Sequence, residues 1–201
     1  MKHIVFILLF AISIQTTHAQ FGENHAIYGT GSLDFGNYFG VDLNLNYVYQ
    51  ENYSFKIGYS GHIRTPKSKP DDYSLGLVNG LTFGINSPYD NLETFHIMAG
   101  KIYKFNKKGT IRLNLSVGLA LVNIKEPTNW QMNSSNFFDQ NYTWNYHEYS
   151  TIGLIINPKI EFPFARHYGL TISPVLQLNK DRVYVGIGVG QMIGLLRKKN
   201  K

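Results

Sequence analysis

Large apolar and small or polar side chains alternate with period two along most of this chain. In 39–49, Phe39, Val41, Leu43, Leu45, Tyr47 and Tyr49 alternate with Gly40, Asp42, Asn44, Asn46 and Val48. In 53–64, Tyr53, Phe55, Ile57, Tyr59 and Ile63 alternate with Ser54, Lys56, Gly58, Ser60, His62 and Arg64. In 111–121, Ile111, Leu113, Leu115, Val117, Leu119 and Leu121 alternate with Arg112, Asn114, Ser116, Gly118 and Ala120. Successive side chains of a strand point to opposite faces, so each segment predicts a strand with one apolar and one small or polar face. The same pattern predicts strands over 75–85, 94–105, 150–162, 168–179 and 183–195. It is weakest in 94–105, where Lys101 shares the face of Phe95, Ile97 and Tyr103. The expectation is an all-β chain of about eight strands. The stretch 26–35 is a candidate for one more, giving a range of eight to ten.

Period two also fits a soluble sandwich, so the composition of the faces decides. A sandwich presents a solvated face of Lys, Glu and Thr opposite its shared core. Here the small face is Gly, Ser and Asn with isolated charges, which suits the interior of a narrow barrel. The large face carries Leu, Ile, Val and Phe, with Tyr towards strand ends, as a lipid band between aromatic girdles would. Segments of this length match tilted strands that span about 30 Å of hydrocarbon. The fold class read from this is a closed antiparallel up-and-down transmembrane β-barrel.

The first residues add a location. Lys2 and His3 precede a mostly apolar run from Ile4 to Ile14, and Thr17-His18-Ala19 offers small residues for cleavage before Gln20. This is the three-part pattern of a secretory signal peptide. Residues 1–19 are therefore expected to be removed, leaving 20–201 as one outer-membrane barrel domain. The sequence holds no Cys, which excludes disulfides, thiol catalysis and thiolate metal sites. Charged residues are only 16% and aromatics 14%, with 19 glycines, a balance suited to strands facing lipid.

Connections carry further expectations. Barrels of this kind place short turns on the periplasmic side and longer loops outside. With the C-terminus inside, the connections at 50–52, 86–92, 125–148 and 180–182 fall outside, and those at 64–73, 105–110 and 163–167 fall inside. Charge then divides by side. The inner set is Arg64, Lys67, Lys69, Lys104, Lys107, Lys108, Arg166, Arg197, Lys198, Lys199 and Lys201 against Asp71 and Asp72, a net of +9. The outer set, Lys125, Lys180 and Arg182 against Glu51, Asp90, Glu93, Glu126, Asp139, Glu148 and Asp181, is −4. Anionic headgroups or an acidic periplasmic partner would suit the basic side. Nothing in the pattern points to nucleic acid.

The signal, the alternating strands and a glycine-rich last strand resemble the small outer-membrane β-barrel family of the OmpX and OmpA-transmembrane type. Gly100-Lys101-Ile102-Tyr103-Lys104, Glu126-Pro127-Thr128-Asn129-Trp130 and Asn157-Pro158-Lys159-Ile160-Glu161-Phe162-Pro163-Phe164 resemble more closely the barrels of gliding and gut bacteria of the Bacteroidetes type. One departure is the end of the chain, Leu195-Leu196-Arg197-Lys198-Lys199-Asn200-Lys201, where such barrels commonly close on an aromatic residue. The resemblance implies a fold and a membrane, and no shared activity.

Candidate chemistry is sparse. His62, His96, His147 and His167 lie in separate segments without metal-binding spacing, so neither metal nor cofactor is expected. A lipid-modifying enzyme would need a His–Ser pair, and His147 with Ser150 or His62 with Ser60 are the pairs to test. Asp42, Lys56, Arg64, Arg112, Lys159 and Glu161 form a candidate lumenal ion network, either lining a narrow channel or filling a plug, since charges buried there must pair. Gly186-Ile187-Gly188-Val189-Gly190 lies inside a strand pattern with no helix after it, so it reads as relief of interior crowding rather than a phosphate loop. The segment 125–148 exceeds what a connector needs. It carries Trp130, Phe137, Phe138, Tyr142, Trp144 and Tyr146 among Asn, Gln and Ser, a composition able to stack on sugars or grip a protein, or to pack as a lid. The expected function is a non-enzymatic, monomeric outer-membrane barrel in contact with lipid and, through this segment, with a surface glycan or protein. A narrow passive channel and a lipid-modifying enzyme are the alternatives.

Overall fold

A computed structural model describes residues 25–76, 87–106, 109–133 and 139–196. The expected signal, residues 1–19, lies outside them. Eight strands follow in chain order: β1 (Ala26–Gly36), β2 (Phe39–Tyr49), β3 (Tyr53–Arg64), β4 (Asp90–Lys104), β5 (Arg112–Met132), β6 (Tyr142–Phe162), β7 (Tyr168–Asn179) and β8 (Val183–Leu195). Each pairs antiparallel with its neighbour, and β1 closes on β8 from Ile27↔Leu195 to Gly36↔Gly186. The all-β, up-and-down closed barrel expected from the alternation is the fold observed.

The membership of the ring differs from the sequence expectation in one exchange. The stretch 26–35 is β1. Its outward face is diluted by Gly29 and Gly31 between Ile27 and Leu33, which is why its alternation reads weakly. The ring passes from β3 directly to β4, and most of segment 75–85 lies outside the described residues. Leu75 and Gly76 are not in a strand, residues 77–86 lie outside those described, and β3 pairs directly with β4 starting at Arg64↔Asp90. Residues 65–89 are therefore one connection. Periodicity reports which face a side chain takes but not which strand it pairs with.

That exchange moves two connections to opposite ends. The turn at 50–52 lies at the end where β1 begins and β8 finishes, here called the terminal end, with the β4–β5 and β6–β7 turns. The connections from β1 to β2, β3 to β4, β5 to β6 and β7 to β8 leave the strands at the other. All the short turns but two now share the terminal end, and both long connections share the opposite one, which corrects the expected placement of 50–52 and 64–73. The charge division shrinks but survives. Counted in the sequence alone, the turns 50–52, 105–111 and 163–167 with their flanking Lys104 and the stretch after Leu196 hold eight basic residues against Glu51, a net of +7. The long-loop end becomes −2 once Arg64, Lys67, Lys69, Asp71 and Asp72 join it.

The outward face forms a broad apolar band, with Gln191 on β8 and Lys101 on β4 as outward polar side chains. On β2, Phe39, Val41, Leu43 and Leu45 are 42–56% exposed, and Ile97, Leu119 and Ile152 across β4–β6 are 66–71% exposed. Water would not tolerate so broad an apolar surface. Ten residue steps from Phe39 to Tyr49 cover roughly 33 Å along the strand, close to a 25 Å band once tilted by about 40°. Tyr49, Tyr53, Tyr103 and Tyr168 ring its terminal end. Lys101, the outward cation, lies 5.5 Å from the Tyr103 ring, within reach of the interface.

Candidate functional site

The inward face fills the barrel in layers. Towards the long loops, Tyr38, Leu92, Met98, Val122, Ile155 and Tyr184 pack as an apolar layer. At the terminal end Ala26, Tyr28, Val48, Ile102, Met192 and Leu196 form another. Polar and charged residues lie between them. Gly188 shows why small residues alternate in β8: a Cβ there would come within 2.3 Å of Asp34 Oδ1 and 3.0 Å of Ser32 Oγ. The expected relief of crowding is what its neighbours require.

The six residues expected as a lumenal network do face the interior, but they divide into separate groups. Arg112 Nε donates to Glu161 Oε2 at 2.6 Å, while Tyr28 and Asn114 donate to Glu161 Oε1 at 2.8 and 3.0 Å. Arg64 pairs with Asp90 at 2.7 Å near the long-loop rim. Asp42 accepts from Asn44 Nδ2 at 2.6 Å, and His96 stands 3.9 Å from it. Lys56 and Lys159 depart from the expectation that every buried ion pairs. They donate to Asn157 Oδ1 at 2.9 Å and Thr30 Oγ1 at 3.2 Å rather than to a carboxylate, while Glu161 takes Arg112, Tyr28 and Asn114. Sequence reasoning missed Asp34, which accepts from Ser32 at 2.8 Å and lies 3.0 Å from His62 Nε2. Its signal was available: Asp34 falls on the small face of 26–35. Asp34, Asp42, Asp90 and Glu161 balance Lys56, Arg64, Arg112 and Lys159 in formal charge. The interior cavity beside Asp42, His62, His96 and Tyr184 measures about 10 Å³, room for about one water.

The segment expected as the loop 125–148 is mostly strand. β5 continues to Met132 and β6 begins at Tyr142, so only 133–141 connects them. The outward face changes character at one level, from Phe95, Leu121 and Ile152 to Glu93, Asn123 and Ser150, which partner one another across β4–β6. Beyond that level the two strands run about nine more residues, roughly 30 Å, as a projecting hairpin arm. A bulge between Thr128 and Gln131, with Asn129 at φ 54°, brings Trp130 to the face that Trp144 and Tyr142 share. Long-range ladder pairing holds this segment extended, a restraint its composition does not display.

The aromatics expected to make contacts assemble on this arm. The Trp130 and Trp144 rings lie 5.4 Å apart, and Trp130 and Tyr142 6.3 Å. Tyr73, from the 65–89 connection, lies 5.8 Å from Trp130 and 6.3 Å from Trp144, a member sequence reasoning did not include. The connection straps across the arm: Trp130 Nε1 donates to Ser68 Oγ at 3.2 Å, and Tyr142 OH to Asp72 at 2.9 Å. The Asp72 carboxylate, with partial burial, raises the Tyr142 phenol above its ordinary value. Tyr146 stands apart, 41% exposed, with Lys125 Nζ 4.8 Å from its ring. Phe137 and Phe138 lie outside the described residues. On the arm's other face, Glu126 forms an ion pair with Arg182 from the 180–182 turn.

Of the candidate catalytic pairs, His62 and Ser60 share the inward face of β3 and line the same small cavity, whereas His147 and Ser150 are apart. His147 and Ser150 sit on opposite faces of β6, and Ser150 donates to Asn123 at 2.6 Å. His62 is buried in the lumen against Asp34 and the Tyr184 ring, 4.2 Å between centroids. Among the described residues no cluster of His, Asp and Glu has the arrangement to hold a metal.

This geometry has counterparts among solved structures. Ail, the attachment invasion locus protein of Yersinia pestis, superposes with a TM-score of 0.50 over 87% of this chain and 99% of its own, at 12% identity. The chain has the fold of the small outer-membrane barrels. The N-terminal β-barrel domain of Pseudomonas aeruginosa OprF matches at 16% identity over 87% of this chain and 99% of its own, with a TM-score of 0.46. Neisserial surface protein A matches at 10% over 86% and 97%, with 0.45. No protein-family model matches the sequence, and no curated protein matches it either. At these identities the likeness is one of fold: a closed eight-stranded transmembrane barrel, as the alternation and the resemblance to small outer-membrane barrels implied.

Proposed function

We infer that this chain is an exported, monomeric integral protein of the bacterial outer membrane, without enzymatic activity, that makes contacts at the cell surface through the β5–β6 arm. The observation that carries this reading is the arm itself. Two strands continue about 30 Å past the level where the outward face turns polar, and they end in an ordered aromatic group rather than a minimal turn. Three of the five short turns lie at the end where β1 begins and β8 finishes, and both long connections leave the other. That polarity supports an orientation with the arm outside. Half-exposed Trp130, Trp144 and Tyr142 amid Asn129, Gln131, Asn133, Asn141 and Asn145 favour a glycan or a polar protein surface as partner. A filled lumen argues against a channel; against lipid modification stand the opposite faces taken by His147 and Ser150 and the burial of His62 and Ser60 inside the barrel, away from lipid.

The test compares cells displaying the wild-type barrel with cells displaying Trp130→Ala/Trp144→Ala, on surfaces coated with neutral polysaccharide and with matrix protein. The double variant should retain heat-modifiable gel mobility and lose most of its retention on one coating. Equal retention of both proteins on both coatings would remove the arm from this role.

A further inference from the structure

The outward wall of β3–β6 carries a feature that neither the lumen nor the arm uses. Between Phe55, Phe95, Leu119 and Leu121 the apolar band is hollowed at Ala99 into a depression of about 720 Å³ with an almost wholly apolar lining. Its upper edge runs into a polar recess of about 350 Å³ formed by Asn91, Glu93, Asn123, Lys125, Glu148 and Ser150. The two adjoin along the strands, because Phe95 and Glu93, Leu121 and Asn123, and Ile152 and Ser150 are successive side chains on the same outward faces. An apolar slot capped by a polar recess at the edge of the hydrocarbon fits an amphiphile lying along the barrel wall.

The charges in the recess choose its headgroup. Lys125 is paired with Glu148. Glu93 accepts a hydrogen bond from Asn91 Nδ2 at 3.0 Å, and among the described residues no cation stands at ion-pair distance from it. One ammonium against two carboxylates leaves a net negative recess, with Glu93 two residues from Phe95 at the hydrocarbon edge. A carboxylate held there is poorly hydrated, and a cation that can also donate hydrogen bonds is its complement. Ser150 and Asn123 are already bonded to each other, which leaves the charge to discriminate. We propose that this wall binds a lipid bearing a primary amine, with one acyl chain in the Ala99 depression and the amine on Glu93. This rests on the membrane-embedded reading of the barrel and is independent of the arm.

Native mass spectrometry of the full-length barrel released from detergent micelles tests it. The micelles are doped with phosphatidylethanolamine or with phosphatidylglycerol of the same acyl chains. Wild type should retain the amine lipid about threefold better, the scale of one half-exposed ion pair. Glu93→Gln should erase the preference while leaving total lipid retention intact. Ala99→Phe, which fills the slot from the outside of the barrel, should lower retention of both lipids. Equal retention of the two lipids by wild type, or a preference unchanged in Glu93→Gln, overturns the proposal. Failure of the underlying reading is visible separately, as a chain that does not enter vesicles or show heat-modifiable mobility.

Discussion

Glu161 is the most heavily bonded ion of the lumen, taking Arg112, Tyr28 and Asn114 at 2.6–3.0 Å while fully buried. Breaking such a pair strands a charge. Glu161→Gln is expected to cost about 3 kcal/mol, and an apolar replacement of both partners, Glu161→Leu with Arg112→Met, should recover much of it. Denaturant unfolding of the vesicle-inserted protein reads both; equal losses in the single and double variants would show that the pair is not the unit. Tyr142 sets a different test at the same scale. Its phenol is raised, first by the hydrogen bond to Asp72, so the contact stabilises the neutral form. That stabilisation is complete below the unfolded phenol value near 10 and is lost as pH rises through the higher folded value. The emission of Trp130 and Trp144 should stay constant through pH 9 and shift only in stronger alkali, and Tyr142→Phe should remove the shift. Residue types were legible in the sequence down to which face each one takes. The pairing of Asp34 with His62, or the choice of Asn157 and Thr30 by the two lysines, was not, because those contacts cross the lumen between strands far apart in the chain.

At the scale of elements, the hairpins explain themselves locally except at one turn. Gln50 and Glu51 both take left-handed φ, 49° and 57°, closing the β2–β3 turn with Asn52 N donating to Tyr49 O at 3.1 Å. Two non-glycine residues in that region are strained, and Asn-Gly is the pair such turns prefer. Replacing Gln50-Glu51 with Asn-Gly should stabilise the barrel by about 1 kcal/mol, measured by the denaturant midpoint; a loss would mean that the Glu51–Lys104 ion pair outweighs the backbone strain. The strands 39–49, 53–64, 168–179 and 183–195 end where the alternation ends, since turns of a few residues leave no room for ambiguity. The arm is the opposite case. Residues 122–132 and 142–150 carry mixed polar and aromatic side chains with no clean period. Only their mutual pairing, seven residues past the last lipid-facing pair at Leu121↔Ile152 and on through the bulge, makes them strand.

For the whole molecule, the consequence of two apolar layers around a balanced ionic layer is a barrel without a continuous water path. In planar bilayers the purified protein should give no stepwise conductance at moderate voltage, whereas clearing the upper layer with Tyr38→Ala/Tyr184→Ala should increase leak. Discrete openings of wild type would show that the layers part in the membrane. The amino-acid pattern by itself determined an all-β chain with a lipid-facing and a lumen-facing set of side chains. It did so because the pleat fixes side-chain direction from one residue to the next, with no help from distant segments. Closure decided the rest. Which eight segments form the ring, which end carries the long connections, and whether the aromatic stretch is a loose loop or a rigid arm all depend on hydrogen bonds between strands. A strand of weak pattern such as β1 is kept because it completes the ladder between β2 and β8, and β3 takes β4 as its neighbour with Arg64 opposite Asp90.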